Sequence, residues 1–421
     1  MSETESRIPS IAPDWDLIED VSEWLMDQAL RDHDIASIID GCCDRLIDAG
    51  LPILRAFFGF SMIHPLYRAV GYTWTRGLGV TVNKYYHQPE GGQLEGWRLS
   101  PFGKMARDQV TWLRRPLNDE TVGEFPIFED LVKLGGVDYY AFMVPFQEAA
   151  EDDMRGMAGS WTTDRSGGFQ PDEILALKKV QRRLAVACKM AVRTNLATIV
   201  MKTYLGSQAG SRVLSGQIKR GDGETIRAAI WYADMRGSTR LADLLSRQEY
   251  IDTLNDYFDV VATEVIAHGG EVLSFIGDAV LAIFNDNEEK GGRAALKAAL
   301  KARIRLAENN SRRIADGRSP LDCVIGLHYG DVMFGNVGVP DRLTFSVFGA
   351  AVNEVARLEQ LCKALGEPVL ASGEFRRTFD GYWRPVGEHR LHGFENAVDV
   401  FAPDIAICTE SLGVCMPPGT K

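Results

Sequence analysis

Hydrophobic and polar positions divide the chain into stretches of helical period joined by shorter, strand-like runs. Across 14–48, Ile18, Val21, Trp24, Leu25, Ala29 and Leu30 recur at spacings of three and four. That spacing predicts helix, with Asp14 as N-cap. Gly50, Leu51 and Pro52 break the period. The pattern is then mixed to about residue 170. Strand-like runs lie at 78–82, 139–145 and 155–161, and Gly156, Gly159, Gly167 and Gly168 mark turns or bulges. Residues 171–204 return to helical period. There Leu177, Val180, Leu184, Ala187 and Ala191 step like the a and d positions of a coiled coil. Two readings are open for this helix: packing on the first domain's core, or a parallel dimer stalk that carries a signal. The run Gly-Ser-Gln-Ala-Gly at 206–210 interrupts the period as a joint.

From Thr225 the pattern changes. An apolar run at 228–233 ends at Asp234 and predicts a buried strand. Residues 248–267 are helical, stopped by Gly269 and Gly270. Residues 271–284 form two strands with a tight turn at Ile276, Gly277 and Asp278. Helix follows at 291–314, strand at 323–337, helix at 349–365, and short strands at 369–371 and 398–401. Gly330, Gly335 and Gly338 read as hairpin turns rather than as a phosphate loop. This order predicts an α/β sandwich, with helices covering one face of a mostly antiparallel sheet.

A chain of 421 residues exceeds the usual single core, which makes two domains the expectation. The expected plan is a loose tail at 1–13, an α+β domain at 14–170, a helical linker at 171–210, a second domain at 211–405 and a tail at 406–421. A net charge of −12, with both signs mixed along the chain, disfavours a nucleic-acid surface. The seven cysteines, Cys42, Cys43, Cys188, Cys323, Cys362, Cys408 and Cys415, are odd in number and fit no zinc spacing. Reduced thiols and a cytoplasmic protein are expected. The polar start lacks a secretory apolar run. Purely apolar runs such as 279–284 are too short for a bilayer, and no membrane span is expected.

Two carboxylates carry the chemistry. Asp234 ends a buried strand, and Asp278 sits at a hairpin tip. If the strands are neighbours, the carboxylates meet at one end of the sheet and repel unless a divalent cation lies between them. The segment after Asp234 (Met235, Arg236, Gly237, Ser238, Thr239) offers backbone N–H groups to a phosphate. Asn353 and Arg357 share a helix face at i and i+4. An amide and a guanidinium there suit a sugar and a transferring phosphoryl group. Taken singly, a turn aspartate is commonly an Asx-turn or cap and an exposed arginine a surface ion pair. His64, near Tyr67 and Trp74, is a candidate for a ligand or haem pocket, although a lone histidine is more often a satisfied core residue.

Taken together, these residues resemble the class III adenylate/guanylate cyclases over about 225–401. The motifs are ADMRGST at 233–239, GGEVLSFIGDAVLAIF at 269–284, IGLHYGDVMFGNVG at 325–338 and FSVFGAAVNEVARLE at 345–359. The resemblance implies a ferredoxin-like α/β sandwich. It implies that Asp234, Met235 and Asp278 hold two Mg2+ or Mn2+ ions, and that Asn353 and Arg357 stabilise the transition state. It also implies a homodimer with shared active sites and conversion of a nucleoside triphosphate to a 3′,5′-cyclic monophosphate. Arg236, Gly237, Ser238, Thr239, Ser274, Gly277, Phe345, Ser346 and His392 fall at substrate-binding positions.

Ser274 and Ser346 match neither the adenine- nor the guanine-specific pattern, and Leu391-His392-Gly393 replaces the usual Leu-Lys-Gly. ATP, the commonest substrate of the family, is expected. GTP, a pyrimidine triphosphate and a catalytically silent nucleotide-binding module are the alternatives. A cyclase joining two GTP molecules is disfavoured, since residues 276–280 lack its Gly-Gly-Asp/Glu-Glu-Phe hairpin. The stretch GMAGSWTTDRSGGFQPDEILALKKVQRRLAVA resembles the end of a GAF or PAS sensor domain. That implies an N-terminal GAF/PAS-like α+β domain with a small-molecule ligand.

Overall fold

The computed structural model describes residues 12–405, except 32–33, 62–63, 65, 88–92 and 147–155, together with Cys408 and Gly413. Most of both expected tails, and Arg155 of the third strand-like run, lie outside the described residues. The chain separates into two compact units, Met1–Val200 and Met201–Lys421.

The first unit opens with helices α1 (Trp15–Ala29) and α2 (Ile35–Asp48). The expected single helix is divided here, because Asp34 caps a new helix by accepting from Ser37 N. Asp14 caps α1 as expected, accepting from Asp16 N and Leu17 N. There follow β1 (Arg55–Ser61), β2 (Tyr67–Thr75), β3 (Gly79–Tyr86), α3 (Gln93–Arg98), α4 (Pro101–Arg107), β4 (Trp112–Pro116), α5 (Pro126–Lys133), β5 (Asp138–Pro145) and β6 (Gly156–Thr163). The described strands form an antiparallel sheet in the order β3-β2-β1-β6-β5-β4.

Alternation along β1 sends Ala56, Phe58 and Phe60 to a core shared with α1 and α2. Phe57 faces a second core under α4 and α5. The long helix α6 (Pro171–Leu205) buries Leu177, Val180, Leu184 and Ala187 in the first of these cores. The apolar seam therefore serves the core of its own unit, the first of the two readings. By length and composition α6 is also apolar enough to cross a membrane, at a mean hydropathy of 1.4 over 18 residues. The expectation of no span overlooked this. Basic and polar residues break α6 into short apolar runs, yet the 18-residue average that includes them still reaches 1.4.

The second unit continues with α7 (Ser207–Leu214), β7 (Gly223–Met235), α8 (Ser238–Leu244), α9 (Arg247–Ala267), β8 (Glu271–Ile276), β9 (Ala279–Phe284) and α10 (Glu288–Ala315). It closes with β10 (Cys323–Val339), β11 (Arg342–Phe348), α11 (Ala350–Leu365), β12 (Val369–Ser372), α12 (Gly373–Arg376), β13 (Trp383–His389) and β14 (Val398–Pro403). The sheet runs β13-β14-β12-β10-β7-β9-β8, with β11 also on β10. The β10–β12 pair is parallel and the others are antiparallel.

The helices cover both faces rather than the single face expected. Trp231 and Ala233 of β7 and Ile325 and Leu327 of β10 pack with α9 and α10. On the other face, Val355 of α11 and Ala209 of α7 share a core with Ala228 and Ile230. Period-two alternation along these strands puts apolar side chains on both sides, so each side needs a helical cover. Gly326 and Gly330 of β10 lie under α11. A Cβ at Gly326 would stand 2.7 Å from the Val355 carbonyl oxygen, and one at Gly330 would stand 3.0 Å from the Ala351 Cβ.

Candidate active site

Asp234 is the penultimate residue of β7 and pairs with Ala279 of β9. Asp278, the last residue of the β8–β9 turn, therefore stands beside it. That turn needs Gly277, which adopts φ +65°. Asp234 has the same parity as Ala228 and Ile230, so it faces α11. Two further charged groups reach it from that helix. The Lys363 ammonium donates to Asp234 Oδ2 and, at 3.0 Å, pairs with Glu359 Oε1.

The site gathers more negative charge than its one ammonium balances. Burial pushes the Asp234 carboxyl up, Lys363 pulls it back, and Asp278 raises it again; the net direction is upward. Burial likewise raises Glu359. Asp278 Oδ2 is buried with no hydrogen-bond partner among the described residues. Adjacent carboxylates, one oxygen of them orphaned, form a hard-oxygen donor set that suits Mg2+ or Mn2+.

An open cleft of about 490 Å³ adjoins the carboxylates, lined by Met235, Arg236, Gly237, Ser238, Thr239 and Lys363. Gly237 has φ +75° and lets the chain turn from β7 into α8. The cleft thus gathers the expected segment 235–239. The other expected residues lie elsewhere. Asn353 is exposed and Arg357 half-buried on α11, with Arg357 Nη1 donating to Gln360 Oε1 at 2.9 Å. Neither lines this cleft. Ser274 is half-buried at a register irregularity of β8. Phe345 packs edge-on against Phe334 in the core at 4.8 Å, and Ser346 beside it is buried. His392 is exposed beyond β13.

Lys363 and Glu359 were missed by the sequence reading. Their i, i+4 spacing looks like an ordinary helix ion pair. Only the approach of α11 to Asp234 gives them another setting. In the first unit, His64 stacks on Tyr67 at 3.6 Å, and its Nδ1 accepts from Leu66 N at 3.0 Å. Trp74 is buried in the core. His64 is therefore part of a local turn. A separate open cleft of about 740 Å³ is lined by Trp15, Trp112, Tyr140, Lys178, Arg182 and Arg183, among others.

A β-sheet with an acidic pair at one end and an open cleft beside it could hold a divalent cation and a phosphate-bearing ligand. Residues 223–374 match the family model described as Adenylate and Guanylate cyclase catalytic domain, and this segment belongs to that class III family. Adenylate cyclase 1 of Rhizobium meliloti (strain 1021) is 31% identical over 174 residues, covering 40% of this chain and 26% of that protein. An adenylate cyclase of Anabaena cylindrica is 33% identical over 157 residues, covering 36% of this chain and 31% of that protein. The chain thus spans less than a third of the length of these relatives. Among solved structures, a bacterial light-regulated adenylyl cyclase is similar at 27% identity and a TM-score of 0.39. It is matched over 45% of this chain and 95% of its own.

Proposed function

We propose that the protein is a nucleotide cyclase that forms a 3′,5′-cyclic monophosphate and pyrophosphate from a nucleoside triphosphate, with ATP as substrate. The observation that carries this is the juxtaposition of Asp234 and Asp278 beside the 235–239 cleft. The names of the two adenylate cyclase relatives support ATP over GTP, UTP or CTP.

Asp234 and Asp278 would hold Mg2+ or Mn2+, which when bound supplies charge neutralisation and acidifies a ligated hydroxyl. The backbone of 235–239 holds the phosphates. The ribose 3′-oxygen attacks the α-phosphorus, the bond to pyrophosphate breaks, and the hydroxyl proton leaves to water. Arg357 stabilises the charge that builds on the α-phosphate, and Asn353 orients the sugar. Asn353 is exposed, Arg357 donates to Gln360, and neither lines the cleft of its own chain. That supports a homodimer in which each copy completes its partner's site.

We further propose that the first unit is a regulatory domain and that its basic, aromatic cleft takes a small anionic ligand. The free, buried thiols of Cys42, Cys43, Cys188, Cys323 and Cys362 support a reducing compartment such as the cytoplasm.

The decisive experiment incubates the purified chain with ATP, GTP, UTP and CTP and either Mg2+ or Mn2+, and separates products by mass. Cyclic AMP is expected, and Asp278→Ala should abolish it. A folded dimer that makes no cyclic product from any triphosphate would overturn the reading.

A further inference from the structure

A second cluster of ligating groups lies on the α11 face of the sheet. His328 of β10 is 4% exposed and sits between Gly326 and Gly330 on the same face. Because both glycines admit α11 closely, the imidazole is trapped where the helix touches the strand. Glu354 comes down from α11 and places Oε1 3.3 Å from His328 Nδ1. That oxygen is buried and has no aligned hydrogen-bond donor. Glu374, on α12, completes the group: one ligand atom from each of the three residues lies within 4.8 Å of the others. Ser372 Oγ is 2.9 Å from His328 Nδ1 and accepts from Phe375 N at 3.1 Å, which fixes the ring.

The charges there are unbalanced. Among the described residues, Glu354 has no ammonium or guanidinium partner. The Arg377 guanidinium, on the outer side, pairs with Glu374 at 2.8 Å. Burial, then Glu374, pushes the Glu354 carboxyl up to about 7. Burial pushes the His328 imidazole down to about 4. A neutral imidazole therefore faces two carboxyl groups, of which Glu374 has Arg377 as counter-cation and Glu354, among the described residues, has none.

We propose that His328, Glu354 and Glu374 form a divalent-cation site distinct from the Asp234–Asp278 pair. One imidazole nitrogen and two carboxylates make a mixed donor set. It suits Zn2+ or Mn2+ better than Mg2+, which favours all-oxygen octahedra. The ion would tie α11 to β10 and α12. Glu354 adjoins Asn353 and lies nine residues before Lys363, roughly 13.5 Å along the helix at 1.5 Å per residue. The two metal positions would therefore anchor α11 at separate points.

The test uses the full chain carrying Asp234→Asn and Asp278→Asn, which disables the first site. After chelation, Zn2+ and Mn2+ are titrated by calorimetry, and melting is followed with and without metal. One equivalent should bind and raise the melting temperature. Glu354→Gln and Glu374→Gln should each weaken binding at least tenfold. Glu374 is on the rim of the fold, so its variant keeps the test valid if the Glu354 variant unfolds. Absence of stoichiometric binding, or binding unchanged in both glutamine variants, would overturn the proposal.

Discussion

The Lys363 ammonium and the Asp234 carboxylate meet across 129 residues of sequence, at the end of the sheet where Asp278 also stands. Lys363 is thus a built-in cation against the Asp234, Asp278 and Glu359 carboxyl groups. An entering metal ion must compete with it. Replacing it with Met should tighten Mg2+ or Mn2+ binding about tenfold, a change of about 1.4 kcal/mol. The metal-free protein should melt lower, because the carboxylates lose their counter-charge. Metal titration and melting of the same variant check both halves.

Asp278→Asn should separate stability from activity. It removes a carboxylate from beside Asp234 and gives the buried position a donor. The metal-free protein should gain about 1 kcal/mol as the like-charge repulsion is relieved, while cyclic product is lost. Denaturant unfolding without metal, set beside the product assay, measures the trade.

Shared sites would show in mixtures. Asp278→Asn and Arg357→Ala should each be inactive alone. If copies exchange freely, half the dimers are mixed and hold one intact site of two, so about a quarter of native activity should return. Assay of the mixture against each variant alone decides this.

The α11–β10 approach leaves no room for a side chain. Gly326→Ala would bring a Cβ to 2.7 Å from the Val355 carbonyl oxygen, which backbone alone can relieve. We expect a loss of about 1–3 kcal/mol in stability. Activity should fall by more than that loss explains, since α11 carries Asn353 and Arg357. Unfolding and turnover measured on the variant separate the two.

Acid should unfold the metal-free protein partly through His328. Its folded pKa lies near 4, below the ordinary 6.5, so its contribution is fully present above pH 6.5 and is lost as pH falls towards 4. The displacement corresponds to roughly 3 kcal/mol at about 1.4 kcal/mol per unit. Glu354, raised to about 7, works in the opposite sense: it favours the fold while protonated and opposes it as pH rises through 7. Unfolding from pH 7 to 4, compared with a His328→Asn variant, should show a shallower acid limb in the variant.

Much of the second unit was legible from residue order, because each strand end or turn there carries a local signal. Asp234 closes an apolar run, Gly277 makes a tight turn, and Gly269 stops a helix. The pairing of Asp234 with Asp278 followed from neighbouring strands. Glu359, Lys363 and His328 were not legible as site residues, since their significance depends on which helix face meets the sheet. In the first unit the strands β1, β2 and β4 escaped notice. Phe57 and Phe58 serve cores on opposite faces, so β1 shows no polar alternation to mark it.

Helix α11, only 16 residues long, carries Asn353, Glu354, Arg357, Glu359 and Lys363. A rod of that length moves as one piece. Any change that tilts it to suit one of these groups is felt by the others. Variation in α11 should therefore come in correlated sets, and a tolerated single exchange there is best sought at positions facing neither the sheet nor a second copy.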